Sequence, residues 1–129
     1  MPVVSKHMSR NLLTGSPAQS LAEAAKRMAA RSVGAMLVFD GDRLVGMLTE
    51  RDILKAVAGE ATGGALVSDW MTRHPETIES SDSTDHAAAL MIHGGFRHLP
   101  VVEGGETVGI LSIRDLMRIV LEDTSPRGA

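Results

Sequence analysis

Two short stretches of the chain each carry a hydroxyl, a guanidinium and a carboxylate within four residues. They are Thr49-Glu50-Arg51-Asp52 and Ser112-Ile113-Arg114-Asp115, and each connects a run typical of a strand to a run typical of a helix. A helix N-terminus offers unpaired N–H groups, a guanidinium is a fork for phosphate, and a carboxylate accepts hydrogen bonds from a ribose diol. The combination suits a nucleoside phosphate.

The same residues also have a purely structural interpretation. Ser or Thr followed three residues later by an acidic residue is a capping box, which starts a helix without any ligand. Both copies would then keep the pattern only because both helices need a start. The pattern alone leaves the helix cap and the nucleotide site open as alternatives.

Other chemistry has little support in the sequence. The absence of cysteine excludes disulfides, thiolate metal sites and cysteine nucleophiles, and it fits a reducing compartment. His93 and His98 are separated by Gly94 and Gly95, and no carboxylate completes a known metal-ligand spacing. Neither a nucleophile elbow nor a phosphate-binding P-loop occurs. We therefore predict no enzyme activity, no metal and no cofactor; a nucleotide would be an effector that is sensed.

Composition indicates a globular protein with its own core. The chain has 129 residues, of which 43% are apolar. Its 13 Lys and Arg are scattered among 16 Asp and Glu, and aromatic residues make up 2%, which disfavours nucleic acid as a main partner. No signal peptide and no apolar run of membrane-spanning length is seen. We expect a soluble cytoplasmic protein without a membrane partner.

The chain is an internal repeat. Shifted by 63 positions, residues 4–57 align with 67–120 without a gap and with 17 identities in 54 pairs, whereas chance gives roughly one in fifteen. The segment 58–66 is rich in Gly and Ala and is predicted to be a linker. The predicted repeats are residues 1–62 and 63–129.

Each repeat contains the same predicted elements. After an entry segment, VSKHM or VSDWM, a helix begins at Ser20 in the first copy and at Asp82 or Ser83 in the second. Two strands follow around a glycine turn, at 41–42 or 104–105, and a closing helix covers 51–58 or 114–121. A unit of this size buries too little apolar surface alone, so we expect the two units to pack about a pseudo-twofold axis.

These features resemble a pair of CBS motifs (cystathionine β-synthase motifs), also called a Bateman module. The resemblance rests on the tandem repeat, the MS and MT entry segments, the HLPVVE strand and the endings GMLTERD and GILSIRD. It covers nearly the whole chain. It implies an α/β (α+β) fold of two β-α-β-β-α units, with clefts between them that bind AMP, ADP, ATP, NAD or S-adenosylmethionine.

The resemblance also implies the nucleotide-binding residues, each cleft combining one helix start with residues of the other unit. The first cleft would contain Met47 against adenine, Thr49, Arg51 and Asp52, faced by Pro75, Glu76, Thr77, Phe96, Arg97 and His98. The second would contain Ile110, Ser112, Arg114 and Asp115, faced by Leu12, Leu13, Thr14, Val33, Gly34 and Ala35. Because Gly34 and Ala35 offer no charge, we expect the Asp52 cleft to bind nucleotide more tightly.

The resulting functional prediction is a stand-alone regulatory module that signals adenosyl-ligand occupancy by changing its association with an effector protein. The alternative is a structural dimerisation or interaction protein with vestigial clefts. The closing helices also predict a homodimer, because they carry more apolar residues than one intramolecular contact covers. Those residues are Ile53, Leu54, Val57, Leu116, Met117, Ile119, Val120 and Leu121.

Overall fold

The structure is a computed structural model that describes residues 2–124. Met1 and residues 125–129, which belong to the predicted repeats 1–62 and 63–129, lie outside the described residues. The mixed α+β architecture predicted from the sequence is confirmed. Five α-helices lie within the described residues: α1 Leu21–Arg31, α2 Glu50–Ala58, α3 Val67–Trp70, α4 Thr84–Gly94 and α5 Ile113–Thr124.

Seven short strands form two sheets within the described residues. The strands are β1 Thr14–Gly15, β2 Ala35–Asp40, β3 Arg43–Thr49, β4 Thr72–Arg73, β5 Ile78–Glu79, β6 His98–Glu103 and β7 Glu106–Ser112. One sheet has the order β1-β2-β3-β4 and the other β5-β6-β7. In each sheet a parallel pair leads into an antiparallel hairpin, so the two repeats share one topology.

The local signals predicted from the sequence are present. Ser20 precedes α1 and its side chain accepts a hydrogen bond from Glu23 N, while Ser83 precedes α4 and accepts one from His86 N. Both hairpins have two-residue turns, with positive φ at Gly41 in the first and at 104 and 105 in the second. Glycine adopts this backbone conformation without the steric cost that a Cβ brings.

The described chain folds into two compact units whose boundaries differ from those of the sequence repeats. One unit is Leu12–Pro75, and the described residues of the other are 2–11 and 76–124. The entry segment of each repeat therefore packs in the unit formed mainly by the other repeat. Val67, which is fully buried, belongs to the core around α1, β2 and β3, and Val4, also fully buried, belongs to the core around α4, β6 and β7.

Backbone contacts join each entry segment to the second strand of the hairpin in its unit. Thr72 in β4 pairs with Met47 in β3, and Ser9 forms the equivalent bridge to Ile110 in β7. A Cβ on Gly46 would lie 2.5 Å from Met71 Sδ and 3.0 Å from Thr72 O. Because the entry strand approaches so closely, this position requires glycine, as does Gly109, where a Cβ would lie 2.5 Å from Met8 Sδ and 2.9 Å from Ser9 O.

The first entry segment also contacts the N-terminus of α4. Val4 N donates to Asp82 O at 2.9 Å, and Thr84 N donates to Pro2 O at 3.1 Å. Beside this contact, His86 Nδ1 lies 2.6 Å from Asp82 Oδ2. That hydrogen bond holds the pKa of Asp82 below its ordinary range. None of the helices within residues 2–124 is both long enough and apolar enough to cross a membrane.

Candidate functional site

The first candidate site lies where β3 ends and α2 begins. Asp52 Oδ2 accepts hydrogen bonds from Thr49 N at 2.9 Å and from Thr49 Oγ1 at 3.0 Å. In return, Asp52 N donates to Thr49 Oγ1 at 3.2 Å. These reciprocal bonds satisfy backbone donors at the helix start. The capping box considered as the structural alternative is thus present.

The second candidate site repeats this geometry where β7 ends and α5 begins. Asp115 Oδ2 accepts from Ser112 N at 2.8 Å and from Ser112 Oγ at 3.0 Å, and Asp115 N donates to Ser112 Oγ at 3.2 Å. The agreement between the copies follows from their sequences, since both place a hydroxyl and an acid three residues apart at the same strand-to-helix junction.

The hydrogen bonds within each capping box limit which groups of a ligand can bind there. The hydroxyl proton of Thr49 or Ser112 already points to a carboxylate oxygen, so that hydroxyl retains only acceptor capacity, as does the carboxylate. A phosphate oxygen is also an acceptor and cannot pair with these atoms. The vicinal hydroxyls of a ribose can donate to both, and the boxes therefore favour the sugar over the phosphate.

The two carboxylates differ in their outer contacts. Asp52 is 7% exposed, and Thr72 Oγ1 lies 3.4 Å from each of its oxygens. Asp115 Oδ1 lies 3.3 Å from Arg118 Nη1, an ion pair whose arginine side chain is 65% exposed. A neutral hydroxyl thus contacts the first carboxylate, and a solvent-exposed cation contacts the second.

Each box has its nearest strand neighbours within its own unit. Ala35 pairs with Thr49 across the hairpin, and Gly34 O accepts from Glu50 N at 3.1 Å. In the other unit, His98 pairs with Ser112, and Arg97 O accepts from Ile113 N at 2.8 Å. The backbone of the Arg97-His98 pair therefore adjoins Ser112. The expected placement of these two residues opposite Asp52 joins different units and stays a prediction.

The remaining predicted site residues divide between the two units. Leu12, Leu13, Thr14, Val33, Arg51 and Pro75 belong to the unit of Asp52, and Glu76, Thr77, Phe96 and Arg114 belong to the unit of Asp115. Leu13 is 4% exposed and packs in the apolar core of its unit. Met47 is also buried, whereas Ile110, its counterpart, is half-buried. Arg51 and Arg114 are exposed on the first turn of their helices.

Two residues that contact the carboxylates were missed by the sequence analysis. Thr72 lies 20 positions from Asp52, and its only signal was that Ser9 and Thr72, which align in the repeat, both carry a hydroxyl. Arg118 follows Asp115 by three positions, a spacing at which helical side chains meet. Helix periodicity could have identified the second contact but not the first.

Comparison with known families tests the resemblance found in the sequence. The family model for the CBS domain matches residues 4–59 and again 67–122. The chain belongs to the CBS domain family. The two matches confirm the family predicted from the tandem repeat, and they place one CBS domain on each sequence repeat.

Solved structures of CBS-domain proteins are similar over nearly the full chain. A protein with CBS domains from Burkholderia ambifaria is 35% identical, with a TM-score of 0.91 and coverage of 98% of this chain and 99% of that one. The CBS domain pair of MJ0100, in complex with 5′-methylthioadenosine and S-adenosylmethionine, is 27% identical (TM-score 0.89; 96% and 99% covered). PAE2072 from Pyrobaculum aerophilum, complexed with AMP, is 30% identical, with a TM-score of 0.84 and coverage of 96% of this chain and 99% of that one.

Curated relatives are longer than the matched region. A 17.7 kDa protein of Acidianus ambivalens is 38% identical over 108 residues, which are 82% of this chain and 65% of that protein. The chain thus spans somewhat less than two thirds of that relative. In several longer CBS proteins of Arabidopsis thaliana, the match spans 19% of the relative. The CBS pair therefore occurs in these proteins as part of a longer chain.

Proposed function

We propose that this CBS-domain chain is a regulatory module that binds an adenosine-containing ligand at the starts of α2 and α5. The observation that carries the proposal is the pair of capping boxes, which leave acceptor oxygens on Thr49 and Asp52, and on Ser112 and Asp115, where a ribose diol can donate. Two structures of similar sequence, 27% and 30% identical, hold AMP, 5′-methylthioadenosine or S-adenosylmethionine. These ligands share the adenosine moiety.

Phosphate would be recognised by other groups. Arg51 and Arg114 lie exposed on the first helical turns, where the positive end of the helix dipole also favours an anion. Adenine would contact Met47 and Ile110, the apolar residues two positions before Thr49 and Ser112. The ligand is thus an effector that is bound and released. We propose that occupancy changes the association of the chain with an effector protein.

A thermal-shift panel tests ligand binding. AMP, ADP, ATP, NAD or S-adenosylmethionine at 100 times its dissociation constant should stabilise the protein by about 2.7 kcal/mol, which raises the melting temperature by several degrees. Adenine without ribose is the matched control and should shift the melting temperature less, because it lacks the diol. A panel in which no adenosyl ligand raises the melting temperature would contradict the proposal.

We also propose that the chain forms a homodimer through its closing helices. Leu54 and Val57 of α2 are 68% and 70% exposed, and Met117 of α5 is 57% exposed. Apolar side chains grouped on an amphipathic helix favour burial against another surface. Light scattering should give about twice the chain mass of 13.7 kDa.

The variants Leu54→Glu and Met117→Glu place a charge on this surface and should shift the mass towards the monomer. Both side chains are exposed, so the substitutions should cost little folding stability. Ala22→Glu, on an exposed position of α1, is the control and should leave the mass unchanged. A wild-type chain of monomer mass at micromolar concentration would refute the dimer.

A second candidate function is a structural or interaction protein without a ligand. The observation in its favour is that both capping boxes are complete without a ligand, since each hydroxyl and each Oδ2 already has its partners. In that case Asp52 and Asp115 would serve helix stability only. The two functions predict different effects of substituting Asp52: loss of ligand affinity if it binds the ligand, and loss of folding stability alone if it only caps the helix.

A further inference from the structure

The hydroxyl of Thr72 lies beside the carboxylate of Asp52. Its Oγ1 is 3.4 Å from Oδ1 and 3.4 Å from Oδ2, while Oδ2 is also held by the backbone and hydroxyl of Thr49. Thr49 contacts only one of the two oxygens. The hydroxyl of Thr72, placed across both oxygens, therefore also contacts Oδ1, the oxygen that Thr49 does not hold.

The equivalent residue of the other entry segment has a different role. Ser9 pairs with Ile110 as Thr72 pairs with Met47, so the two hydroxyls occupy the same sheet position. Ser9 Oγ, however, accepts a hydrogen bond from Asn11 N at 3.2 Å. The Oδ1 atom of Asp115 instead lies 3.3 Å from Nη1 of Arg118. One site thus has a hydroxyl from its entry segment, and the other has a guanidinium from its own helix.

We propose that Thr72 is a positioning residue that orients the Asp52 carboxylate for the ribose diol. This inference rests on the proposed function of the site. When a ligand binds, the hydroxyl of Thr72 can donate to one oxygen while a ribose hydroxyl donates to the other, since a carboxylate accepts several hydrogen bonds. Affinity at the Asp52 site then depends on β4, the strand by which the chain leaves this unit.

The proposal is tested in the full chain carrying Asp115→Asn, so that the Asp52 site is measured alone. Calorimetry is done with AMP and with 2′-deoxy-AMP on Thr72→Val and Thr72→Ser. Because Thr72 acts on the ligand only through Asp52, its loss should cost less than a direct hydrogen bond to the carboxylate, and Thr72→Val should lower AMP affinity about three- to tenfold. The preference for AMP over 2′-deoxy-AMP should narrow as well, because the carboxylate no longer matches the diol.

Thr72→Ser keeps the hydroxyl and should restore both the affinity and the preference for ribose. A role in strand pairing alone would not be rescued in this way, since valine is the better strand residue. The matched control is Ser9→Ala in a chain carrying Asp52→Asn, which should leave AMP affinity at the Asp115 site unchanged.

Three results would overturn the inference. If Thr72→Val keeps both affinity and preference while Asp52→Asn abolishes binding, Thr72 has no positioning role and the proposed function stands. If Thr72→Ser behaves as Thr72→Val, the hydroxyl is not responsible. If Asp52→Asn together with Asp115→Asn leaves AMP binding as in the wild type, the proposed function itself fails.

Discussion

Replacing Asp52 with alanine is expected to lower the affinity of its site for adenine nucleotide at least about tenfold. The variant removes charge-assisted hydrogen bonds, each worth about 1.5–3 kcal/mol, and one such bond already accounts for a tenfold change. It also removes half of a capping box, which should lower the free energy of unfolding by about 0.5–2 kcal/mol. Calorimetry measures the first effect, and chemical denaturation without ligand measures the second.

A helix cap elsewhere in the same unit separates these two effects. Ser20 Oγ accepts from Glu23 N at 3.1 Å at the start of α1, so Ser20→Ala should cost a similar amount of stability. It should leave nucleotide affinity unchanged. If Asp52→Ala destabilises the ligand-free protein but binds nucleotide as the wild type does, the residue is a helix cap and the ligand-binding proposal fails at this site.

A fragment of residues 12–75 should fold, whereas a fragment of residues 12–62 should not. The longer fragment contains Val67, Trp70 and Met71, which pack on the core around α1 and β2, and β4, which pairs with β3. Fully burying one valine contributes about 1.5–3 kcal/mol, and small domains are only marginally stable. Loss of the entry segment therefore removes a large share of the net stability.

Far-UV circular dichroism during heating measures this difference. We expect a cooperative transition for residues 12–75 and a gradual loss of signal for residues 12–62. The fragment of residues 1–62, which corresponds to the first sequence repeat, serves as a control for length. Its Val4 belongs to the core of the other unit, so it should behave as 12–62 does. A cooperative transition in 1–62 would contradict the assignment of the entry segments.

The sequence predicted the elements well because their signals are local. Ser20 and Ser83 mark helix starts, and the glycines at 41 and 104 mark turns, through interactions with residues a few positions away. The exchange of the entry segments could not be predicted in the same way. VSKHM and VSDWM share valine and methionine at the same positions, so these shared residues do not decide which core each segment enters.

In the candidate sites, too, the local contacts could be predicted from the sequence and the long-range contacts could not. The bonds between Thr49 and Asp52 span three residues and follow from the capping-box pattern. The contact of Thr72 with Asp52 depends on which entry segment pairs with β3, and no periodicity encodes that choice. Likewise, the repeat places Arg97 and His98 in its second copy, but only the strand register reveals that their backbone adjoins Ser112.

The exchanged entry segments also impose an order on folding during synthesis. The unit of residues 12–75 is made in one continuous stretch, and its bridge between Ser20 and Leu66 joins residues 46 positions apart. Val3 must instead wait for Ser83, 80 positions later, and its core is complete only when α5 has emerged from the ribosome. Long-range closure is slower than local closure. The entry segment with Val4 and Met8 is therefore made before the rest of its unit but is buried only when that unit is complete, and until then both residues are exposed to chaperones and proteases.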